Sequence, residues 1–345
     1  MSRCILALNS GSSSLKFTLF QDENKLAEGQ AEKVGKPDGT LQMVDSDGKP
    51  LMERQVSPGS HAEVLRLVLD SEAMGKLPRP DATGHRLVHG GPRHSGPALI
   101  NEELIQELRQ LVPLAPLHMP SAIEVIEAVS EYSPELAQVA CFDTAFHQAM
   151  PEIAKRYPLP RQLWEQGVRR YGFHGLSYEY LLGALGQETR GRVVLAHLGS
   201  GASCAAVLDG KPIDTTMGLT PSGGLMMGTR TGDLDPGVVL YLIRELHYSA
   251  DDVARLVDKD SGLLGVSGRS ADVRDLTEAS GSDETSAQAL EMFCYIARKQ
   301  IAAMAAALGG LDLLVFTGGI GEHAADLRDR ICQGLAFLSF RVKVM

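Results

Sequence analysis

The chain has 345 residues, 44% of them hydrophobic, and a formal net charge of −10. That length exceeds one typical domain and suits two, with enough apolar material for sizeable cores. The negative balance disfavours nucleic acid and anionic membranes as partners, so an anionic ligand has to be held by local arginines, lysines and backbone N–H groups.

The chain opens on a buried strand, Ile5 to Leu8, followed by Asn9-Ser10-Gly11-Ser12-Ser13-Ser14 and a returning strand from Lys16 to Phe20. Such a turn offers N–H groups and hydroxyls to one spot, with Lys16 adding positive charge, which suits phosphate oxygens. It also reads simply as a Ser/Gly hairpin turn. It is not a Walker A loop, because a strand follows where that motif needs a helix.

Residues 21–60 are polar and turn-rich, predicting short strands and loops. His61 to Leu69 has helical spacing, and Thr83 to His89 reads as a strand ending in Gly90-Gly91-Pro92. Asn101 is placed to cap a helix with Glu102 and Glu103 in its first turn, and a second helix opens near Pro120. Val139 to Phe142 is a short strand leading to Asp143, and residues 151–170 look irregular and basic.

A second strand–turn–strand follows, Val193 to Leu198, Gly199-Ser200-Gly201 and Ala202 to Leu208. Aligning Ser10-Gly11-Ser12-Ser13 with Ser200-Gly201-Ala202-Ser203 suggests an internal duplication. Helices are expected near Pro236–Leu246, Ala250–Val257 and, longest, Glu284–Leu308. Leu311 to Phe316 is a third apolar strand, turning through Thr317-Gly318-Gly319-Ile320-Gly321-Glu322 into a last helix. The fold class is α/β with hairpins, in two related domains divided as 1–147 and 148–345.

Cys4, Cys141, Cys204, Cys294 and Cys332 are scattered and form no Cys-x-x-Cys, which fits buried thiols in a reducing cytosol. A strand at the very N-terminus leaves no room for a signal peptide, and the apolar stretches are short for a membrane span. The expectation is a cytoplasmic protein.

Three glycine-rich turns after three apolar strands point to a nucleotide. The glycines of the third let the backbone approach something flat such as adenosine, or serve tight strand–helix packing. Arg86, in Gly84-His85-Arg86-Leu87-Val88-His89-Gly90-Gly91, and Arg230, in Gly228-Thr229-Arg230-Thr231-Gly232-Asp233, need acidic or phosphate partners in such tight contexts. For Arg230, Asp233 or Asp235 can supply a structural ion pair. His118 and His174 occupy turns, and no His-x-x-x-His spacing suggests zinc. Asp143 can bind Mg²⁺, orient a nucleophile or cap the next helix.

Taken together these segments, with Phe142-Asp143-Thr144-Ala145-Phe146-His147 and Tyr171-Gly172-Phe173-His174-Gly175, resemble the acetokinase family of the acetate and sugar kinase, heat-shock ATPase and actin superfamily. Nearly the whole chain is covered, in order. The resemblance implies two ribonuclease-H-like (actin-like ATPase) domains facing a central nucleotide cleft, usually in a homodimer. It implies ATP + acetate ⇌ ADP + acetyl phosphate with Mg²⁺, or Mn²⁺ in its place.

Carried over residue by residue, Arg86 and Arg230 grip the carboxylate and the transferring phosphoryl. His174 hydrogen-bonds that phosphoryl, with His118 beside it. Asn9, Ser12, Ser14 and Lys16 line the phosphate and metal region, with Asn9 and Asp143 nearest the metal. His197, Gly199, Ser200 and Gly201 form the second phosphate turn. Asp272-Val273-Arg274 and Gly319-Ile320-Gly321-Glu322 embrace the adenosine. Val88, Leu117, Phe173 and Pro221 form the pocket for the acetate methyl.

Two departures stand out. The family's second turn usually reads Gly-Asn-Gly, and Ser200 lacks the amide donor. The family also continues beyond the point reached by Met345, with a Thr-Asn-Glu-Glu motif whose Glu helps hold Mg²⁺ and a helix returning to the first domain. The expectation for such a chain is nucleotide binding with weakened turnover. The alternative readings are a propionate or butyrate kinase, or a nucleotide-binding relative with impaired turnover. The arginine pair with His174 separates a kinase from a mere nucleotide switch, which would not need it.

Overall fold

The computed structural model describes every residue except Met1, Ser12, Ser57 and Pro58, and only the backbone of Glu72. The chain forms two compact units, Met1–Ala145 and Phe146–Met345.

The first unit contains strands β1 (Cys4–Ser10), β2 (Ser14–Gln21), β3 (Asn24–Glu32), β4 (Gly39–Asp45), β5 (Pro50–Val56), β6 (Ala82–Leu87), β7 (Ala98–Leu99) and β8 (Ala137–Phe142). Among the described residues they form one sheet, ordered β5-β4-β3-β2-β1-β6-β8-β7. The run β1 to β5 is antiparallel; β6 joins β1 in parallel and β8 joins β6 in parallel.

Helices α1 (His61–Leu69), α2 (Glu72–Gly75), α3 (Glu102–Leu111) and α4 (Met119–Tyr132) complete the unit. Their starts are local chemistry. Ser60 and Glu63 make a reciprocal capping box for α1. Asn101 Oδ1 accepts the Leu104 N–H at 2.8 Å to open α3, and Pro120 lies in the first turn of α4. Burial alternates along β1, so Leu6 and Leu8 join Phe17, Leu65, Val68 and Val125 in the core.

The second unit contains β9 (Arg192–Leu198), β10 (Ala202–Leu208), β11 (Lys211–Thr215), β12 (Leu313–Thr317) and β13 (Arg341–Val344). Their order is β11-β10-β9-β12-β13, with β9, β12 and β13 parallel and β9, β10 and β11 antiparallel. This repeats the order and sense of β3-β2-β1-β6-β8, so the duplication heard in the sequence is a repeated sheet plan. The register corrects its alignment. The last paired residues before the two turns are Ser10 and Leu198, which sets Gly11 against Gly199 rather than Gly201.

Helices α5 (Glu152–Lys155), α6 (Arg161–Glu165), α7 (Gly175–Leu185), α8 (Pro236–Arg244), α9 (Ala250–Lys259), α10 (Gly262–Ser267), α11 (Val273–Ala279), α12 (Glu284–Leu308), α13 (Gly318–His323) and α14 (Ala325–Gln333) surround that sheet. β10 and β12 are buried almost throughout, because elements cover both faces. α7 supplies Tyr178, Leu181 and Leu185 to one cluster, and α12 packs on β9 and β10. The segment expected to be irregular instead makes α5 and α6, with Trp164 held between the guanidinium groups of Arg156 and Arg169.

The two compact units divide in sequence between Ala145 and Phe146. Thr144 belongs to the first unit, where its Oγ1 accepts the Gly90 N–H at 3.0 Å. Phe146 joins the core of the second, and His147 Nε2 lies 2.9 Å from the Phe173 carbonyl there.

Candidate active site

In the first unit the candidate residues Asn9, Arg86 and Asp143 collect where the parallel strands β1, β6 and β8 end, the usual ligand edge of an open α/β sheet. Arg86 lies on β6, and Asp143 follows β8. The parallel register sets Leu87 beside Phe142, which brings the next carboxylate to the guanidinium. Arg86 Nη2 donates to Asp143 Oδ2 at 2.6 Å and Nε donates to both carboxylate oxygens at 3.1 and 3.2 Å. Arg86 Nη1 donates to Asn9 Oδ1 at 3.0 Å. The side chain of Asp143 is 3% exposed and that of Arg86 33%. The buried carboxylate pushes the Arg86 pKa further up. These contacts use three of the five guanidinium N–H bonds and leave one on each terminal nitrogen for a ligand.

The helical turn that follows begins at Phe146, which puts Ala145 rather than Asp143 directly before it. Asn9 sits opposite Lys16 in the β1–β2 register, and Lys16 is exposed. The Gly11 N–H donates to the Ser14 carbonyl at 2.8 Å, closing the first turn; Ser12 lies outside the described residues. Val88 follows β6 and is buried, His118 occupies the N-cap position of α4, and half-buried Leu117 precedes it.

In the second unit the turn Gly199-Ser200-Gly201 is the centre. The Gly199 N–H donates to the Gly201 carbonyl at 3.1 Å, and the Gly228 N–H donates to the Ser200 carbonyl at 3.1 Å. The second bond docks the Arg230 loop on the turn. A Cβ added to Gly201 would lie 3.5 Å from His174 Nε2 and 3.6 Å from Arg230 Nη1, so both side chains converge there. Arg230 Nη1 donates to the Pro221 carbonyl at 3.0 Å, bringing another expected residue into the same loop. The two carboxylates weighed as its partners make bonds of their own. Asp233 accepts from the Gly224 N–H and Gln300, and Asp235 caps α8.

His174 Nδ1 lies 2.8 Å from Ser203 Oγ, and its ring stacks on His197 at 4.3 Å between centroids. Gly172, at φ +73°, has no room for a side chain: a Cβ would meet His147 at 2.5 Å and Thr215 at 2.7 Å. Phe173 is fully buried.

The third turn splits the two readings of its glycines. A Cβ on Gly318 would strike the Leu198 carbonyl at 2.7 Å, which is strand packing. Gly319 faces open space. Gly318 begins α13 directly, and Glu322 folds back to accept the Gly318 N–H at 3.0 Å. Ile320 and Gly321 lie within that helix. Asp272 caps α11 by accepting the Arg274 N–H at 2.8 Å and pairs with the Arg274 guanidinium at 2.6 Å. Val273 is buried behind them, and Ala271 touches the Gly228 loop. Ser203, Tyr178 and Ser177 are the polar residues here that sequence reasoning missed.

The sequence profile of the acetokinase family matches residues 4–344. The chain belongs to the acetokinase family. The acetate kinase of Rhodopseudomonas palustris (strain TIE-1) is 47% identical over 352 residues, covering 98% of this chain and 87% of that protein. The acetate kinase of Dichelobacter nodosus is 45% identical, with 98% and 87% covered. Among solved structures, the Porphyromonas gingivalis acetate kinase has 39% identity and a TM-score of 0.85, and a propionate kinase from Francisella tularensis has 39% and 0.91; each match covers 97% of this chain and 88% of that one. At that likeness the two repeated sheets are the ribonuclease-H-like domains of the actin-like ATPase fold. Among the described residues no helix is long and apolar enough to cross a membrane.

Proposed function

We propose that the chain reversibly transfers the γ-phosphoryl of ATP to acetate. A carboxylate oxygen attacks Pγ, and the bond from Pγ to the bridging oxygen breaks, leaving its electron pair on ADP. The observation that carries this reading is the convergence of His174 Nε2 and Arg230 Nη1 on the Gly199–Gly201 turn. Phosphoryl transfer asks for positioned donors around three oxygens rather than covalent help from the protein. In this reading Arg230, His174 and the turn's N–H groups hold the transferring phosphoryl. Arg86 offers its two remaining N–H bonds to the substrate, with Asp143 fixing the plane of its fork and His118 nearby. Val88, Leu117, Phe173 and Pro221 surround the methyl group. Lys16, Ser12, Ser14 and His197 act on the polyphosphate. Asp272, Val273, Arg274, Gly319, Ile320, Gly321 and Glu322 act on the adenosine.

Mg²⁺, or Mn²⁺, fits Asn9 Oδ1 and the Asp143 carboxylate. Both are hard oxygen donors gathered on one guanidinium, and Mg²⁺ needs only one or two carboxylates beside water and phosphate oxygens. Bound there, the cation would neutralise charge on the phosphate oxygens. Among the described residues no group of three or more His, Cys, Asp or Glu is placed to hold a metal ion.

ATP, acetate and Mg²⁺ with hydroxylamine should yield acetohydroxamate from acetyl phosphate. Nucleotide binding without hydroxamate would overturn the reading. Propionate is the second candidate, favoured by the likeness to the Francisella tularensis propionate kinase.

We further infer a homodimer through α8. Val238, Leu240, Tyr241 and Ile243 on it are all more than 40% exposed, as is Leu246 just beyond. A helix apolar on every side is unstable in water without a covering surface. Sedimentation of the wild type should give twice the chain mass and that of Leu240→Glu the mass of one chain; a monomeric wild type would overturn this.

A further inference from the structure

We propose that Ser203 and Tyr178 are positioning residues that fix the His174 imidazole as a neutral Nε2–H donor aimed at the Gly199–Gly201 turn. The inference rests on the phosphoryl-transfer reading above and deepens it. His174 sits at φ 59° and ψ 19°, in the left-handed region that favours glycine. Such a conformation persists where the surroundings over-determine it. Here they do. Nδ1 is 2.8 Å from Ser203 Oγ, and Ser203 Oγ is 2.5 Å from the Tyr178 hydroxyl. Ser203 and Tyr178 are wholly buried, one on β10 and the other on α7. On one face the ring is stacked on His197, whose own Nδ1 is 3.0 Å from Ser177 Oγ.

The order of protons along this chain follows from the chemistry. Ser203 has one hydrogen and two polar neighbours. A phenol is the more acidic hydroxyl and the better donor, so Tyr178 O–H donates to Ser203 Oγ. Ser203 O–H then donates to His174 Nδ1. An imidazole that accepts at Nδ1 while neutral carries its proton on Nε2. That nitrogen is the one facing the turn where Arg230 also arrives. The opposite order would turn a lone pair toward an anionic ligand. The relay thus gives the site a donor that does not depend on imidazole protonation.

The test uses the full chain labelled with ¹⁵N-histidine, without nucleotide, with the His174 signals assigned from a His174→Gln variant. At pH 8 the wild type should show a protonated Nε2 and an unprotonated, hydrogen-bonded Nδ1. Ser203→Ala and the near-isosteric Tyr178→Phe should each give mixed tautomers. In turnover, Ser203→Ala should lower kcat by about 10- to 100-fold, the scale of a slightly misplaced catalytic group, with KM values little changed. Ser203→Thr should restore most of the loss. In a His174→Ala background Ser203→Ala should cost nothing more, because it acts through that ring. An unprotonated Nε2 in the wild type, or equal kcat losses in both backgrounds, would overturn the proposal. A wild type that makes no acetyl phosphate would overturn the activity reading alone, since the NMR measurement needs no turnover.

Discussion

In the first unit Arg86 is held by opposite charge, with Asp143 on two of its nitrogens and Asn9 on the third. In the second unit Arg230 lies against a carbonyl of its own loop, and the neighbouring carboxylates are committed to backbone N–H groups, Gln300 and a helix end. The same sheet plan therefore carries two kinds of support. One is electrostatic, and it couples site to stability. The other is a loop pinned by backbone bonds and buried hydroxyls, where geometry can be lost with little loss of fold.

That contrast predicts different costs for the same substitution. Arg86→Ala and Arg230→Ala should each lower kcat by about 10²-fold or more, the loss expected for a transition-state donor. Arg→Lys should rescue little at either, because the planar fork is lost. Only Arg86→Ala leaves a buried carboxylate without its guanidinium, and it should destabilise the protein by about 3 kcal/mol or more. Arg230→Ala should cost less than half of that. Kinetics and denaturant titration on both variants check this. An Arg230→Ala enzyme with near-normal kcat removes its role, and equal stability losses remove the contrast.

The elements that were legible in the sequence are those with local causes. The Asn101 cap, the helix from Glu284 to Leu308 ended by Gly309, and the glycine turns after apolar strands are set by neighbours a few residues away. Asp143 stood out in the sequence as a candidate, but its pairing with Arg86 did not, because the pair spans 57 residues and meets through the β6–β8 register. Ser203 and Tyr178 were invisible for the same reason. They lie 25 residues apart and meet once α7 packs on β10, a strand so buried that no alternation marks one residue as special. The bonds that Asp233 and Asp235 make to the Gly224 and Gly237 N–H groups were equally hidden, since they depend on how the loop and the α8 cap fold.

Acid should separate the units next. His85 on β6 is 2% exposed, and burial pulls its pKa down from 6.5 to about 4. The unfolded chain takes up that proton first, so stability falls as pH drops from about 6.5 toward about 4, by about 2 kcal/mol at pH 5. In the second unit the hydrogen bonds from Arg192 hold Asp312 at about 2. Its contribution is present above the ordinary carboxylate range and is lost only as pH falls toward about 2. With the two side chains 39% and 41% exposed, solvent limits it to about 1 kcal/mol or less. Trp164, the single tryptophan, reports the second unit. Between pH 8 and pH 5 the urea midpoint by circular dichroism should fall, with the Trp164 transition moving much less, and His85→Gln should flatten the change. A fall that survives in His85→Gln would assign the acid sensitivity to another group.

The smallest effect concerns the residues proposed to face the acyl group, Val88 in the first unit and Phe173 in the second. Val88 is 6% exposed and follows β6 directly, two residues after Arg86; Phe173 is 1% exposed and lies in the second unit. Removing methyl groups at Val88 opens volume beside a group that already binds the carboxylate in the proposed reading. Phe173 sits where Gly172 leaves no slack, so its truncation should damage the placement of His174 as much as the pocket. Val88→Ala should therefore raise the kcat/KM of propionate relative to acetate by about 10-fold, the scale of one methylene in an apolar site, while kcat for acetate changes little. Phe173→Leu should lower kcat for both acids together. The comparison needs only the ratio of two specificity constants, so losses of folded enzyme cancel. If Val88→Ala leaves the ratio unchanged while substitutions at Leu117 or Pro221 move it, the methyl group lies against those residues, and Val88 is part of the core that supports Arg86.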